Sequence, residues 1–195
     1  MTDRQDPYTV ALIVGSVSKP SLNRRLANAL VGLSADAGLR ITDVPIGQLP
    51  FFGAEMQTGE DYPAVGRGFK EAIDAADALL IVTPEYNRSI PGVLKNAIDW
   101  ASRPEGENSF PGTPVAVIGA SEGAVSTAVA QNHLKAILLS QGALVLGAPE
   151  AYIRYRTGLI ADDGTVTDES TRTFLAGFLE AFHDLIMRSP VAVAT

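Results

Sequence analysis

The chain has 195 residues and no cysteine, which excludes disulfides, thiolate metal sites and cysteine-based redox chemistry. Its 15 Lys plus Arg stand against 22 Asp plus Glu, a net charge of -7 that argues against non-specific nucleic-acid binding. Hydrophobic residues make up 46% and charged residues 19%, so one well-filled domain over residues 1–195, with its core over about 8–188, is expected rather than disorder.

The N-terminal stretch MTDRQDPY has no apolar signal core, and no apolar run is long enough to span a bilayer. A cytoplasmic location without a membrane partner is therefore expected. In chain order, Val10 to Val14 is the first strand-like run. Leu22, Leu26, Leu30 and Leu33 follow at helical spacing, with Arg24, Arg25 and Asn28 on other faces. Arg40 to Val44 predicts an edge strand. Val65, Phe69, Ile73 and Ala76 predict the next helix, and Ala78 to Val82 the strand after it. On a third helix Leu94, Ala97 and Ile98 face inward, with Trp100 near its end. Residues 102 to 113, rich in Pro, Gly, Asn and Glu, predict a surface loop. Pro114 to Ile118 and Ala143 to Leu146 predict two more strands, separated by a helix carrying Leu134, Ile137 and Leu138. A last helix is predicted from about Asp168 to Met187, capped by Asp168, with Phe174, Phe178, Phe182 and Ile186 as an apolar stripe that suits the core, with an interface as the alternative. The strand runs are continuous rather than alternating, which suits a parallel sheet covered on both faces. Strand and helix in alternation predict a layered α/β sandwich with right-handed crossovers.

Gly15 to Asn23 joins the first strand to the first helix, at the edge where open α/β sheets bind ligands. Gly15 permits close backbone approach, while Ser16, Ser18, Ser21 and Asn23 offer short polar side chains. Together with the free amides of a helix start, they could hold a phosphate. The stretch GSVSKPS lacks the interior glycines of a dinucleotide fingerprint and the Gly-Lys-Ser/Thr ending of a Walker A loop. A Ser-rich loop of this kind resembles the phosphate loop of flavodoxin-like proteins. The alternative is plain helix capping by Ser21 after Pro20.

A second loop, TPEYNRSIPGVLKNAIDWASRP at residues 83 to 104, follows the third strand. Pro84 and Pro91 stiffen it, and its backbone and polar atoms suit the edge of a flat ring. Tyr86 has an alternative role as a turn tyrosine covering a small core. With GSVSKPSLNRRLANAL before it and GTPVAVIGASEGAVSTAVAQNHLKAIL after it, this segment resembles the NADPH-dependent FMN reductase family, in the branch of flavodoxin-like quinone, azo-dye and chromate reductases. The resemblance covers roughly residues 8 to 160.

The resemblance implies a flavodoxin-like three-layer sandwich around a five-stranded parallel sheet in order 2-1-3-4-5. It implies bound FMN, NADPH or NADH as reductant, and a small-molecule acceptor such as a quinone, azo dye, chromate or free flavin. The flavin would carry the chemistry, so no catalytic side chain and no metal is expected. Ser16, Ser21 and Asn23 are the implied phosphate ligands, helped by amides from Val17 to Leu22. Ser18 stands where relatives often have Arg, with Lys19 or Arg24 as substitute cations. Pro84, Glu85, Tyr86 and Asn87 are implied to run beside the isoalloxazine, and Ser121, Glu122 and Gly123 to close its other side. Relatives often carry Arg at the position of Val129, two before Gln131, which leaves coenzyme preference and tetramer geometry open. A homodimer or homotetramer is the implied assembly. An electron carrier, or an interaction protein that kept only the fold, is the competing reading. Arg154 and Arg156 lie near the sheet's end and are equally suited to exposed surface positions. His133 and His183 are expected to be structural or exposed. The stretch GASEG at 119 to 123 superficially resembles an esterase elbow but is not read as one.

Overall fold

The computed structural model describes residues 6–57 and 62–189. The first five residues of the N-terminal stretch read above lie outside the described residues. Six strands, β1 (Tyr8–Val14), β2 (Leu39–Asp43), β3 (Ala78–Val82), β4 (Pro114–Ser121), β5 (Leu144–Val145) and β6 (Ala151–Arg154), build one parallel sheet. Its order is β2-β1-β3-β4-β5, with β6 also on β4. The sheet thus has five positions, and the fifth is shared. β5 pairs with the start of β4 (Pro114 and Val115) and β6 with its end (Ile118 to Ser121), with residues 146–150 looping out between them.

Among the described residues five α-helices, α1 (Leu22–Leu33), α2 (Ala64–Asp74), α3 (Gly92–Ala101), α4 (Ala128–Ser140) and α5 (Glu169–Arg188), cover the two faces. Alternation along β1 assigns them: Val10, Leu12 and Val14 face the core with α1 and α5, while Ala11 and Ile13 face α2, α3 and α4. Every residue of β3 is buried, as its unbroken apolar run ALLIV requires of a central parallel strand. Two expected stripes shift by a residue. On α5 the buried positions are Leu175, Phe178, Leu179, Phe182 and Ile186, and Phe174 is exposed. On α2 Phe69 and Ile73 are buried, but Val65 turns outward and Gly66 faces the Trp100 ring. The 102 to 113 loop carries one buried anchor, Phe110, and Lys70 of α2 donates to Glu107 O and to Ser109 Oγ at 2.7 Å. No helix among the described residues is long and apolar enough to cross a membrane.

Candidate active site

In a parallel sheet every strand delivers its following loop to the same edge. The loops after β1, β3 and β4 meet there, and polar bonds join them in pairs. Gly15 N donates to Val82 O at 2.8 Å, and a Cβ on Gly15 would lie 3.0 Å from Leu94 Cδ2 and 3.2 Å from Thr83 Oγ1. Ser18 Oγ lies 3.3 Å from the Tyr86 hydroxyl, linking the first loop to the second. Gly119 is the tightest point: a Cβ there would stand 2.1 Å from Thr83 O and 2.7 Å from Thr127 Oγ1.

Around the first loop the chemistry is that of a donor cradle. Leu22 and Asn23 begin α1, so their N–H groups have no intrahelical partner, and α1 has no acidic residue in its first turn. Ser21 caps α1, its Oγ accepting from Arg24 N at 3.2 Å, and its hydroxyl proton remains a donor. Capping and phosphate binding are therefore compatible in one side chain. Ser16 Oγ accepts weakly from Ser18 N at 3.4 Å. Lys19 is exposed at the tip, whereas Arg24 is drawn to Asp43, at 2.6 Å. Three hydroxyls, two helix-start amides and one cation, with no competing carboxylate on the loop itself, fit a phosphomonoester such as that of FMN.

Asn23 is spent differently. Its side chain is buried, with Nδ2 donating to Ala120 O at 3.0 Å and Oδ1 accepting from Ala120 N at 2.9 Å. Any contact to a phosphate from this residue falls to its main-chain N–H.

The second loop is a tight turn, closed by Tyr86 N donating to Ser89 O and Ser89 N to Tyr86 O at 2.9 and 3.0 Å. Its central residues, Asn87 and Arg88, have φ of 50 and 63, the pattern of a type I′ turn. Arg88 has no glycine-like freedom, and this conformation costs it about 1–2 kcal/mol. Tyr86 is 45% exposed, so its ring does not cover a core. Glu85 is the opposite case. Its side chain is only 7% exposed; Oε1 accepts from Arg88 Nη1 at 3.0 Å, and Oε2 from Val129 N and Ala130 N, each at 3.0 Å. The carboxylate thereby caps α4 from another loop. Thr127 at the N-cap makes no such bond, its hydroxyl accepting from Gln131 Nε2 at 2.8 Å.

In the third loop Ser121 is half-buried, Glu122 and Gly123 are exposed, and Ser121 Oγ accepts from Gly123 N at 3.2 Å. No histidine serves it: His133 Nδ1 lies 3.2 Å from Ser89 Oγ, and His183 packs edge-on to Tyr8. An esterase triad is therefore not assembled on Ser121. Arg154 and Arg156 are both exposed. No group of three or more His, Asp or Glu among the described residues could hold a metal ion.

A fourth segment, missed in the sequence reading, lies beside these loops. A Cβ on Gly47 would be 3.4 Å from Val17 Cγ1, which places Gly47 next to the first loop. Asn96 Oδ1 accepts from Phe52 N at 2.8 Å, while Asn96 Nδ2 and Trp100 Nε1 donate to Pro50 O at 2.9 and 2.8 Å. Phe51, between those two fixed points, is 85% exposed. The signal in the sequence was the pair Asn96 and Trp100, polar atoms on the buried face of a helix.

A family model described as NADPH-dependent FMN reductase matches residues 8–158. A 2-hydroxy-1,4-benzoquinone reductase from a Burkholderia species is 44% identical over 173 residues, 89% of this chain and 93% of that protein. A quinone reductase from Pseudomonas putida is 41% identical over 175 residues, covering 90% of this chain and 92% of its own length. Among solved structures, a flavoenzyme NAD(P)H:(acceptor) oxidoreductase from Paracoccus denitrificans superposes with a TM-score of 0.88 at 46% identity, covering 93% of this chain and 98% of that one.

Proposed function

The chain belongs to the NADPH-dependent FMN reductase family and is an FMN-dependent NAD(P)H oxidoreductase; from that premise we propose that it reduces quinones, through one FMN held by the three converging loops. The donor cradle after β1 carries this reading. Ser16, Ser18 and Ser21 would offer hydroxyls, Leu22 and Asn23 main-chain N–H groups, and Lys19 a cation to the phosphate. The main chain of Pro84, Glu85, Tyr86 and Asn87 would hold the polar edge of the ring system, with Ser121, Glu122 and Gly123 on its other side.

The redox chemistry, hydride in from NAD(P)H and electrons out to the acceptor, is what FMN supplies when bound. What the chain contributes is position and exclusion. Backbone donors fixed before the reaction stabilise developing negative charge without reorganisation. The reductant and the acceptor must each be held flat against one open face, which calls for apolar walls more than for a tailored pocket. Val17, Phe51, Tyr86 and Val125, exposed by 58, 85, 45 and 52%, supply apolar surface on the loops around this edge. A flat, apolar quinone suits such walls, and the quinone reductase activity named for the two relatives supports the same acceptor class. The same exposed surface supports a homodimer or homotetramer, in which a second subunit covers part of it.

The test is anaerobic rapid mixing of FMN-loaded protein with NADPH, then with NADH, followed by a quinone. Bleaching of the oxidised flavin band by a coenzyme and its return on adding quinone are expected. A flavin that binds but is bleached by neither coenzyme would point instead to an electron carrier; return with azo dye or chromate but not quinone would refute the acceptor class.

A further inference from the structure

The carboxylate of Glu85 is nearly buried, and each of its oxygens is already bonded to a protein group. One oxygen holds Arg88 and the other receives two N–H groups from the first turn of α4. These contacts span the gap between the second loop and the helix after the third. No side chain of α4's own N-cap replaces them. Beyond Glu85 the chain enters the turn at Asn87 and Arg88, both with positive φ, and Arg88 Nη1 returns to Glu85. The side chain therefore ties together a turn in a disfavoured backbone conformation and a helix start that lacks a local cap.

We propose that Glu85 is a positioning residue: its carboxylate clamps the 84–87 main chain to α4, so that the two loops flanking the flavin are held in one fixed relation. This rests on the placing of FMN between those loops given above. The clamp acts through the main chain, since both Glu85 oxygens are turned to protein groups. Negative charge at the partly positive start of a helix is favourable in itself, which makes the carboxylate a better clamp than a neutral amide. The turn itself is closed by the Tyr86–Ser89 main-chain bonds, and Arg88 adds its contact to Glu85 from the exposed side.

The experiment compares wild type, E85Q and E85A in the full chain, with and without FMN. D168A serves as control, because it removes a carboxylate cap of the same kind from α5, one whose hydrogen-bond partners are Ser170 and Thr171 and none of the three loops. In E85A, amide exchange at Val129 and Ala130 is expected to speed up about tenfold, the size of a lost cap. FMN affinity should fall by about tenfold as well, with a shift in the visible band of the bound flavin. E85Q, which keeps one acceptor oxygen, should fall between. D168A should lose thermal stability without either change. Faster exchange at Val129 and Ala130 with unaltered FMN affinity and spectrum would overturn the proposal, leaving Glu85 a helix cap only. Exchange raised equally at all amides would overturn it too. Wild-type protein that takes up no FMN would instead defeat the placing of the cofactor. If E85A does not fold, E85Q carries the same comparison.

Discussion

Replacing Asn23 with Ala tests whether this side chain serves the sheet. Strand β3 ends at Val82, paired with Ile118, while β4 runs on to Ser121. Thr83 N still reaches Ile118 O, at 2.9 Å, but among the described residues no strand lies beyond it on that side. Backbone groups of alternate residues point to the same side of a strand, so Ala120 presents its N–H and C=O to the vacant position. Asn23 fills it with one donor and one acceptor, at 3.0 and 2.9 Å, and the group is 3% exposed. Truncation leaves two buried backbone groups unpaired at about 1–3 kcal/mol each, partly recovered by water, for a net loss of about 2–4 kcal/mol. In a chain of this size that lowers Tm by about 5–15 °C. Urea and thermal unfolding should be run without FMN, so that ligand binding does not contribute to the apparent stability. N23D, which keeps the acceptor but sets a carboxylate against Ala120 O, should be no more stable than N23A. A loss below about 0.5 kcal/mol would refute the strand-surrogate role. If FMN affinity nevertheless fell steeply in such a stable variant, the Asn23 side chain would be a cofactor ligand after all.

Three further outcomes follow from the same geometry. G119A drives a methyl group into Thr83 O, 2.1 Å from the ideal Cβ, and backbone cannot rotate away; a loss of about 3 kcal/mol or more in denaturant unfolding is expected, and an unchanged midpoint would refute the close approach. N96A removes the acceptor of Phe52 N–H while Pro50 O keeps Trp100 Nε1, so a cost of about 1–3 kcal/mol should come with faster exchange at the Phe52 amide; an unchanged amide there would refute the pinning of residues 50–52. The Ser170 hydroxyl, then the Thr171 hydroxyl and N–H, hold the Asp168 carboxyl down from 3.8 to about 2. A depressed folded-state value means that this cap's contribution is complete above the unfolded value and is lost as pH falls through about 2. The stability gap between wild type and D168A should thus be constant above pH ~4 and narrow below it; a gap that does not narrow would refute the assignment.

Much of the architecture was legible because its signals are local. Val10 to Val14, Ala78 to Val82 and Pro114 to Ile118 are unbroken apolar runs, and all three are central strands. The Asp168 cap and the Leu26 and Leu30 stripe of α1 rest on spacings within one or two turns. The fifth sheet position was harder to see. Its second half, Ala151–Arg154, is covered on one face only, with Ala151 and Ile153 buried and Arg154 exposed, so it alternates rather than running continuously apolar. That period is present in AYIR, but the stronger continuous signal lies in the apolar Ala143 to Leu146, of which only Leu144 and Val145 pair.

The three loop motifs determined by themselves the family and the edge of the sheet where chemistry is to be sought, because each motif is a contiguous string and a parallel sheet sends all its following loops to one side. How the side chains in those loops are used was decided only by the tertiary structure. Asn23 and Glu85 sit in the first and second motifs as apparent ligands of a cofactor. One bonds to a strand 97 residues away and the other to amides 44 and 45 residues away. A buried polar group goes to whichever partner the packed chain brings within reach, and no spacing in the sequence records that distance.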